Sequence, residues 1–549
     1  MSLAVSKQVK PVLVLDKRVG FEADRKFGVL KSGQTNRYAI IPTQNYSTSN
    51  VTFNIQPPAP NIAISRELLF NFKFRITFTG TAGSLNGGTL LYPGLFDAPR
   101  AAPLAKVTQS CQATINNASV AQNNYQVVEA FLRSNISDTE LKRDFSLMPS
   151  MLDTFQNYDD NLVDGYGSAN DPLQTYGQNS WQTPRGGFPY TIISNPVVGA
   201  GNPATAIVEF ETTEPFFLSP FLNATDNEVA FIGVQSLTVQ LNFINSLKRI
   251  WSHSAGNGQA GTISSLDVTF PQPPQVLANF ITPSSLQTVP VSNVYSYNTV
   301  DVYPMDFTSI PANNATLTNG ASTVTINSQN IQLNYIPKRI FAFVRRSDLT
   351  SDFTTTDTFL RINNISINFD NISGLLSGAN SQQLYELSKN SGLNMSWTEW
   401  SKFVGSVLIL DVGRSLMLND PTEAPSLTTT KQFQMQLSVT NLNTHQAIVP
   451  TLYIMTIADG LLTVENNTAI LQNTILSRED ILNAGSDATN STVWEKASNW
   501  FGGRMVEAAS KIKVHRPTGG AAIGGALVGG ALVGGASMSK MTLAQRLKK

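Results

Sequence analysis

Leu69-Phe70-Asn71-Phe72-Lys73-Phe74-Arg75-Ile76-Thr77-Phe78-Thr79 alternates apolar and polar residues without a break. Phe70, Phe72, Phe74, Ile76 and Phe78 fall on one face, and Asn71, Lys73, Arg75, Thr77 and Thr79 on the other. A period of two is strand geometry, because successive side chains leave the pleat on opposite sides. One dry face and one polar face belong to an antiparallel sheet, not to a βαβ sheet covered on both sides. The same alternation recurs at Leu237-Thr238-Val239-Gln240-Leu241-Asn242-Phe243 and at Phe433-Gln434-Met435-Gln436-Leu437-Ser438-Val439-Thr440. Shorter strand candidates are 38–42, 51–56, 205–212, 266–270, 324–326, 331–335, 340–344, 362–369, 407–412 and 452–457. The pair Asp459-Gly460 is expected to turn a hairpin between 452–457 and 461–464.

Many short strands joined by loops rich in Pro, Gly, Asn and Ser predict an all-β chain of sandwich or jelly-roll type. The pattern breaks around Pro271-Gln272-Pro273-Pro274 and resumes near Val291. The expected organisation is therefore two tandem β domains of sandwich or jelly-roll type, 36–282 and 283–472. They lie between a basic N-terminal arm, 1–35, and a helical, Gly/Ala-rich basic C-terminal tail, 473–549. No sequence repeat links the two halves. Helical stripes are few: 124–133, with Tyr125, Val128 and Leu132 on one side, and 382–389, an insertion between strands. The loop-like stretches 80–105 and 150–204 are long enough to be contact-making. Beyond Leu471, Ser477 with Asp480 fits a capping box, and 493–513 reads as an amphipathic helix interrupted at Gly502-Gly503. Glycine pairs then recur every five residues, from Gly519-Gly520 to Gly534-Gly535.

The 549 residues are 41% hydrophobic and only 14% charged, a composition that buries a core. Lysine plus arginine equals aspartate plus glutamate, 38 each, but the balance is uneven along the chain. Residues 1–35 carry +4 and residues 504–549 carry +7, which leaves −11 for 36–503. Basic ends on an acidic body either point those ends at a polyanion or simply keep flexible ends soluble. Cys111 is the one cysteine, which excludes an internal disulfide and a multi-cysteine metal site. The opening Met1-Ser2-Leu3-Ala4-Val5-Ser6-Lys7 has no apolar run, so no secretory signal is expected. The Asn-x-Ser/Thr sequons, such as Asn50 and Asn364, then follow from an Asn/Ser/Thr-rich composition.

Chemistry-bearing motifs are sparse. There is no Walker loop, no His-Glu-x-x-His and no paired-cysteine motif. The stretch Asp159–Gly165 would put Leu162 where a calcium loop needs an oxygen, so it reads as a solvated loop. Three histidines occur, His253, His445 and His515, and His253 lies between two serines with no acid beside it in sequence. Arg185-Gly186-Gly187 reads as a turn, and Trp397 and Trp400 as core. Pro517–Ser539 is uncharged, yet its eight glycines make a flexible tail the better reading than contact with a lipid bilayer or close helix packing through small residues, a membrane span least of all. No catalytic, cofactor or metal site is expected.

Three segments resemble the double-jelly-roll major capsid proteins of the lineage that includes adenovirus hexon, virophages and Polinton-like or adintovirus-type elements. They are Asn54-Ile55-Gln56-Pro57-Pro58-Ala59-Pro60-Asn61 leading through Ile64-Ser65-Arg66 into the Phe-rich strand; Thr213-Glu214-Pro215-Phe216-Phe217-Leu218-Ser219-Pro220-Phe221; and Ile336-Pro337-Lys338-Arg339-Ile340-Phe341-Ala342-Phe343-Val344-Arg345-Arg346. The resemblance implies a non-enzymatic virion protein, assembled inside the host cell, whose homotrimers form pseudo-hexagonal capsomers of an icosahedral shell. Its implied partners are itself and minor capsid or penton proteins, with no small-molecule substrate. The basic ends add the viral genome or an internal membrane, with Lys511, Lys513, Arg516, Lys540, Arg546, Lys548 and Lys549 as inner-face contacts. The rival readings are a single-jelly-roll capsid protein with a protruding domain, and a β-sandwich glycan-binding protein of the spike or lectin kind. The latter needs an exposed aromatic platform and paired carboxylates.

Overall fold

The computed structural model describes residues 35–134, 147–153, 173, 184–221, 230–244, 247–254, 259–283, 291–313, 322–418, 420, 423–443, 447–465 and 467–474. Strand Leu69–Thr81 buries Phe70, Phe72, Phe74, Ile76 and Phe78, as its alternation requires. Pro203–Pro215 pairs along its whole length, while Gln275–Thr282 and Thr262–Thr269 share its other side. Thr35–Pro42 and Tyr190–Ser194 complete the two flanks of this sheet. A second sheet, built from Asn50–Ile55, Leu237–Phe243, Thr108–Ile115 and Ala118–Gln122, lies across the buried phenylalanines. Phe72 meets Phe53 and Phe243 of that sheet edge-on, at 6.3 and 6.1 Å between centroids. The first core is thus the space between two antiparallel sheets, filled by aromatic rings.

The remaining strands build the same object again. Ser292–Asp306, Pro450–Glu465, Arg339–Arg346 and Val407–Asp411 form one sheet. Thr323–Asn327, Lys431–Thr440, Arg361–Phe369 and Ile372–Leu375 form the other, with Ile331–Leu333 also paired to Lys431–Thr440. With the accessory strands Tyr190–Ser194, Thr262–Thr269 and Ile331–Leu333 left out, the eight main strands of each half, numbered along the chain, run first-eighth-third-sixth in one sheet and second-seventh-fourth-fifth in the other. Both halves obey that order, every strand ladder among the described residues is antiparallel, and a helix follows the fifth strand in each: Asn124–Leu132 and Ser381–Asn390. This is a jelly roll, twice. The repeat that residue identities conceal is therefore present in topology.

Two expectations change. Asp459-Gly460 makes no hairpin, because Pro450–Glu465 is one unbroken strand. A Cβ on Gly460 would stand 2.4 Å from the Gln472 carbonyl oxygen and 2.9 Å from the Tyr297 ring, so the glycine serves a close approach and not a turn. Thr108–Ile115 and Gln275–Thr282, by contrast, are strands that periodicity did not single out. The capping box at 477–480, the amphipathic stretch 493–513, the glycine pairs and the 159–165 loop lie outside the described residues.

Candidate functional site

A protein whose halves are two separate sandwiches needs something to fix them to each other. Helix Asn124–Leu132 of the first roll places Val127, Ala130 and Phe131 in the core of the second. At the other end of the junction, Tyr295 of the second roll lies 4.9 Å from the Phe231 ring of the first, and Leu462 and Val464 join the first core. Between these apolar contacts is a group of buried charges.

Asp357 reaches across from the segment between the third and fourth strands of the second roll. Its carboxylate lies 2.8 Å from the Arg100 guanidinium, 2.5 Å from Lys106 Nζ and 2.8 Å from Arg249 Nη2, all three contributed by the first roll. Its backbone is held as well: the Asp357 N–H donates to Asp153 Oδ2 at 2.8 Å, and Arg133 Nη2 donates to the Asp357 carbonyl at 3.0 Å. Arg100 also donates to the carbonyls of Asp352 and Thr355, at 2.7 Å each. Glu129 pairs with Lys106 and, at 2.7 Å, with Arg133, whose guanidinium stacks 3.9 Å over the Phe359 ring. Asp348 takes Arg249 at 2.8 Å, Arg345 at 3.0 Å and the Tyr453 hydroxyl at 2.6 Å. Burial on its own would raise the Asp357 carboxyl, but Arg100, Lys106 and Arg249 outweigh it and hold that group well below the ordinary carboxylate value.

Nothing in this arrangement reacts. Asp357 and Glu129 are saturated by cations, and neither carboxylate faces an opening. A buried ionic cluster adds little net stability compared with apolar packing, yet losing one member leaves the others buried and uncompensated. Here the ion pairs span the junction, tying Asp357 of the second roll to Arg100, Lys106 and Arg249 of the first.

The chemistry-bearing residues read from sequence fall into place around this. His253 does have an acid nearby: its Nδ1 lies 2.9 Å from Asp97, which also accepts from the Trp251 indole and the Tyr92 N–H. The other ring nitrogen faces the Gly261 carbonyl at 2.9 Å, so no position remains for a nucleophile and the histidine is a structural link. Arg185 sits in a 3₁₀ turn, paired with Asp153 and donating to the Pro99 carbonyl. Trp400 is buried and the partly buried Trp397 stacks on it at 5.6 Å, so this pair is packed and is not an exposed platform of the kind a glycan-binding reading requires. Lys511, Lys513, Arg516, Lys540, Arg546, Lys548 and Lys549 lie outside the described residues, as do His445 and His515. Among the described residues no helix is long and apolar enough to cross a membrane.

Two jelly rolls with one strand order, packed side by side, make the double-jelly-roll fold that capsid proteins use. A family profile described as the first domain of the Sputnik virophage major capsid protein matches residues 7–281, and one described as the C-terminal domain of major capsid protein V20 matches residues 303–460. The chain belongs to the Sputnik virophage major capsid protein family. It is 30% identical over 507 residues to capsid protein V20 of Sputnik virophage, covering 86% of this chain and 81% of that one. The structure of the Sputnik virophage by cryo-EM superposes with a TM-score of 0.76 at 29% identity, over 89% of this chain and 98% of that one. The mavirus major capsid protein shares the fold, with a TM-score of 0.67 at 14% identity over 88% of this chain and 99% of that one. The chain is accordingly a structural protein of the virion and not an enzyme. Like its relatives it associates with copies of itself.

Proposed function

We propose that three copies associate into a pseudo-hexagonal capsomer, each copy supplying two of its six rolls. The working division of the chain is 36–282 and 283–472 for the rolls, with 1–35 and 473–549 as arms. One observation carries this reading: a single strand order occurs twice, with a buried charge cluster spanning the junction between its two occurrences. Six similar edges from three chains let one protein tile a flat facet. Mass measurement on the purified protein checks it. Three chains per particle is the expected result, and a stable monomer or dimer overturns it.

The basic ends complete the proposal. With +4 on residues 1–35 and +7 on residues 504–549 against an acidic body, the arms face inward and meet the genome or an internal membrane, while minor capsid and penton proteins fill the vertices. Lys511, Lys513, Arg516, Lys540, Arg546, Lys548 and Lys549 carry the C-terminal share of that contact. Each phosphate neutralised releases counterions, so binding to nucleic acid weakens with salt in proportion to the contacts made. A salt series on DNA binding is expected to be steeper for the full chain than for one ending at Gly503. Equal slopes remove the C-terminal residues from the assignment.

A further inference from the structure

Helix Ser381–Asn390 has two faces, and only one of them belongs to the second roll's core. Leu384, Tyr385 and Ser388 are buried. Gln383, Glu386, Leu387 and Asn390, spaced i, i+3, i+4 and i+7, share another face and form one wall of an open groove of about 530 Å³. The other wall is the turn before the helix, which contributes Leu376 and Ala379 and is closed by the Ala379 N–H donating to the Leu376 carbonyl at 3.0 Å. Leu376 has φ 61°, a left-handed conformation that strains a bulky residue and recurs at ligand clamps. Three half-buried apolar residues, Leu376, Ala379 and Leu387, thus line one opening at the side of the roll.

The described chain ends close to that opening. Its last residue is Thr474, whose hydroxyl lies 2.7 Å from that of Thr428. Three residues before Thr428, the Pro425 ring packs on Gly413, where an added Cβ would stand 3.8 Å from it. The next residue, Arg414, donates to the carbonyl of Asn390, at the end of the groove, at 3.2 Å. Beyond Thr474 the sequence runs through residues 475–492 before the amphipathic stretch begins at Val493. That spacer reaches about 60 Å when extended, far more than the few packed residues between Thr428 and Asn390. The stretch itself carries Val493, Trp494, Ala497, Trp500 and Phe501 at i, i+1, i+4, i+7 and i+8, with Glu495, Lys496, Ser498 and Asn499 between them. At helical period those five share one apolar face, and two of the chain's six tryptophans lie on it. Such a face gains most from leaving water.

We propose that residues 493–501 dock in the groove beside helix Ser381–Asn390 of their own chain, with Trp494, Ala497 and Trp500 against Leu376, Ala379 and Leu387. Recognition is of the helix-in-groove kind, in which apolar anchors at helical spacing enter an apolar slot. The occupant is the chain's own segment because the chain leaves the roll beside the groove, and a short tether sets an effective concentration of about a millimolar. The basic residues that follow, from Arg504 to Lys549, then start from a fixed point on the second roll and not from Thr474. The docking depends neither on the number of chains in a capsomer nor on what those basic residues bind.

Photocrosslinking in the full chain tests it. Benzoylphenylalanine in place of Trp500 is expected, on irradiation, to give adducts within residues 376–390 on a product of single-chain mass. Adducts confined to other parts of the chain, or none, overturn the docking. A product of two-chain mass gives the groove to a neighbour's segment and overturns the own-chain assignment. Hydrogen exchange supplies the second reading. Trp494→Glu with Trp500→Glu is expected to speed amide exchange in 381–390 about tenfold, while strand Arg361–Phe369 in the core keeps its rate. From the groove side, Leu387→Glu is expected to abolish the crosslink, with the rate of Arg361–Phe369 reporting that the roll is folded. Should that variant not fold, Ala379→Glu serves in its place. Unchanged exchange in the tryptophan variant, or a crosslink that survives in the groove variant, overturns the proposal.

Discussion

Asp357 is held by three cations from the opposite roll and has almost no access to water. Removing one member of such a cluster leaves the rest buried and uncompensated, which costs about 3–5 kcal/mol. Asp357→Asn is expected to lose that amount in urea unfolding at neutral pH. The pH dependence has a definite sign. The folded carboxyl lies well below the ordinary 3.8, so its contribution is present above that value and is lost as pH falls toward the folded one. The gap between wild type and Asp357→Asn should therefore be full at pH 7 and shrink below pH 3.8; a gap that widens in acid would contradict the ionic assignment. None of this could be read locally, because Arg100, Lys106 and Arg249 lie more than a hundred residues away in sequence. A faint signal was present. In a chain that is only 14% charged, Arg100 and Lys106 bracket Ala101-Ala102-Pro103-Leu104-Ala105, a run with no polar residue to solvate them.

Whether a strand could be read depended on the size of its inward side chains. Leu69–Thr81 announced itself because four phenylalanines and an isoleucine face inward. Thr108–Ile115 obeys the same alternation, but its inward residues include Cys111 and Ala113, too small to stand out against Gln112 and Thr114. The phenylalanines also set the energetic stakes. Phe74 is fully buried between Phe72 and Phe210, with centroids at 5.9 and 5.4 Å. Phe74→Ala is expected to destabilise the protein by about 3–5 kcal/mol, measurable as a lowered urea midpoint. Gly460 shows the opposite case, a residue whose turn propensity is overridden by tertiary contact. Because an added methyl would strike the Gln472 carbonyl and the Tyr297 ring, Gly460→Ala is expected to cost about 1–3 kcal/mol in thermal or urea unfolding. A neutral outcome would mean that the strand Thr468–Gln472 moves aside freely.

At the scale of the molecule, the two rolls share more than a linker. Val127, Ala130 and Phe131 of the first roll complete the core of the second, while Tyr295, Tyr297 and Val464 of the second complete the core of the first. Each roll on its own would expose part of the other's interior to water, at a cost of about 25 cal/mol per Å² of apolar surface. The covalent link through residues 284–290 should then be dispensable for cohesion once the protein has folded. A protease site placed there and cleaved in the folded protein is expected to leave both fragments co-migrating on gel filtration, separable only in denaturant. Cleavage in the Asp357→Asn background should lower the denaturant needed for separation, because the ionic cluster spans the same joint. Fragments that part at once in dilute buffer would mean that the chain, and not the buried junction, sets the angle between the rolls. A capsomer tile would then lack the rigidity on which a flat facet depends.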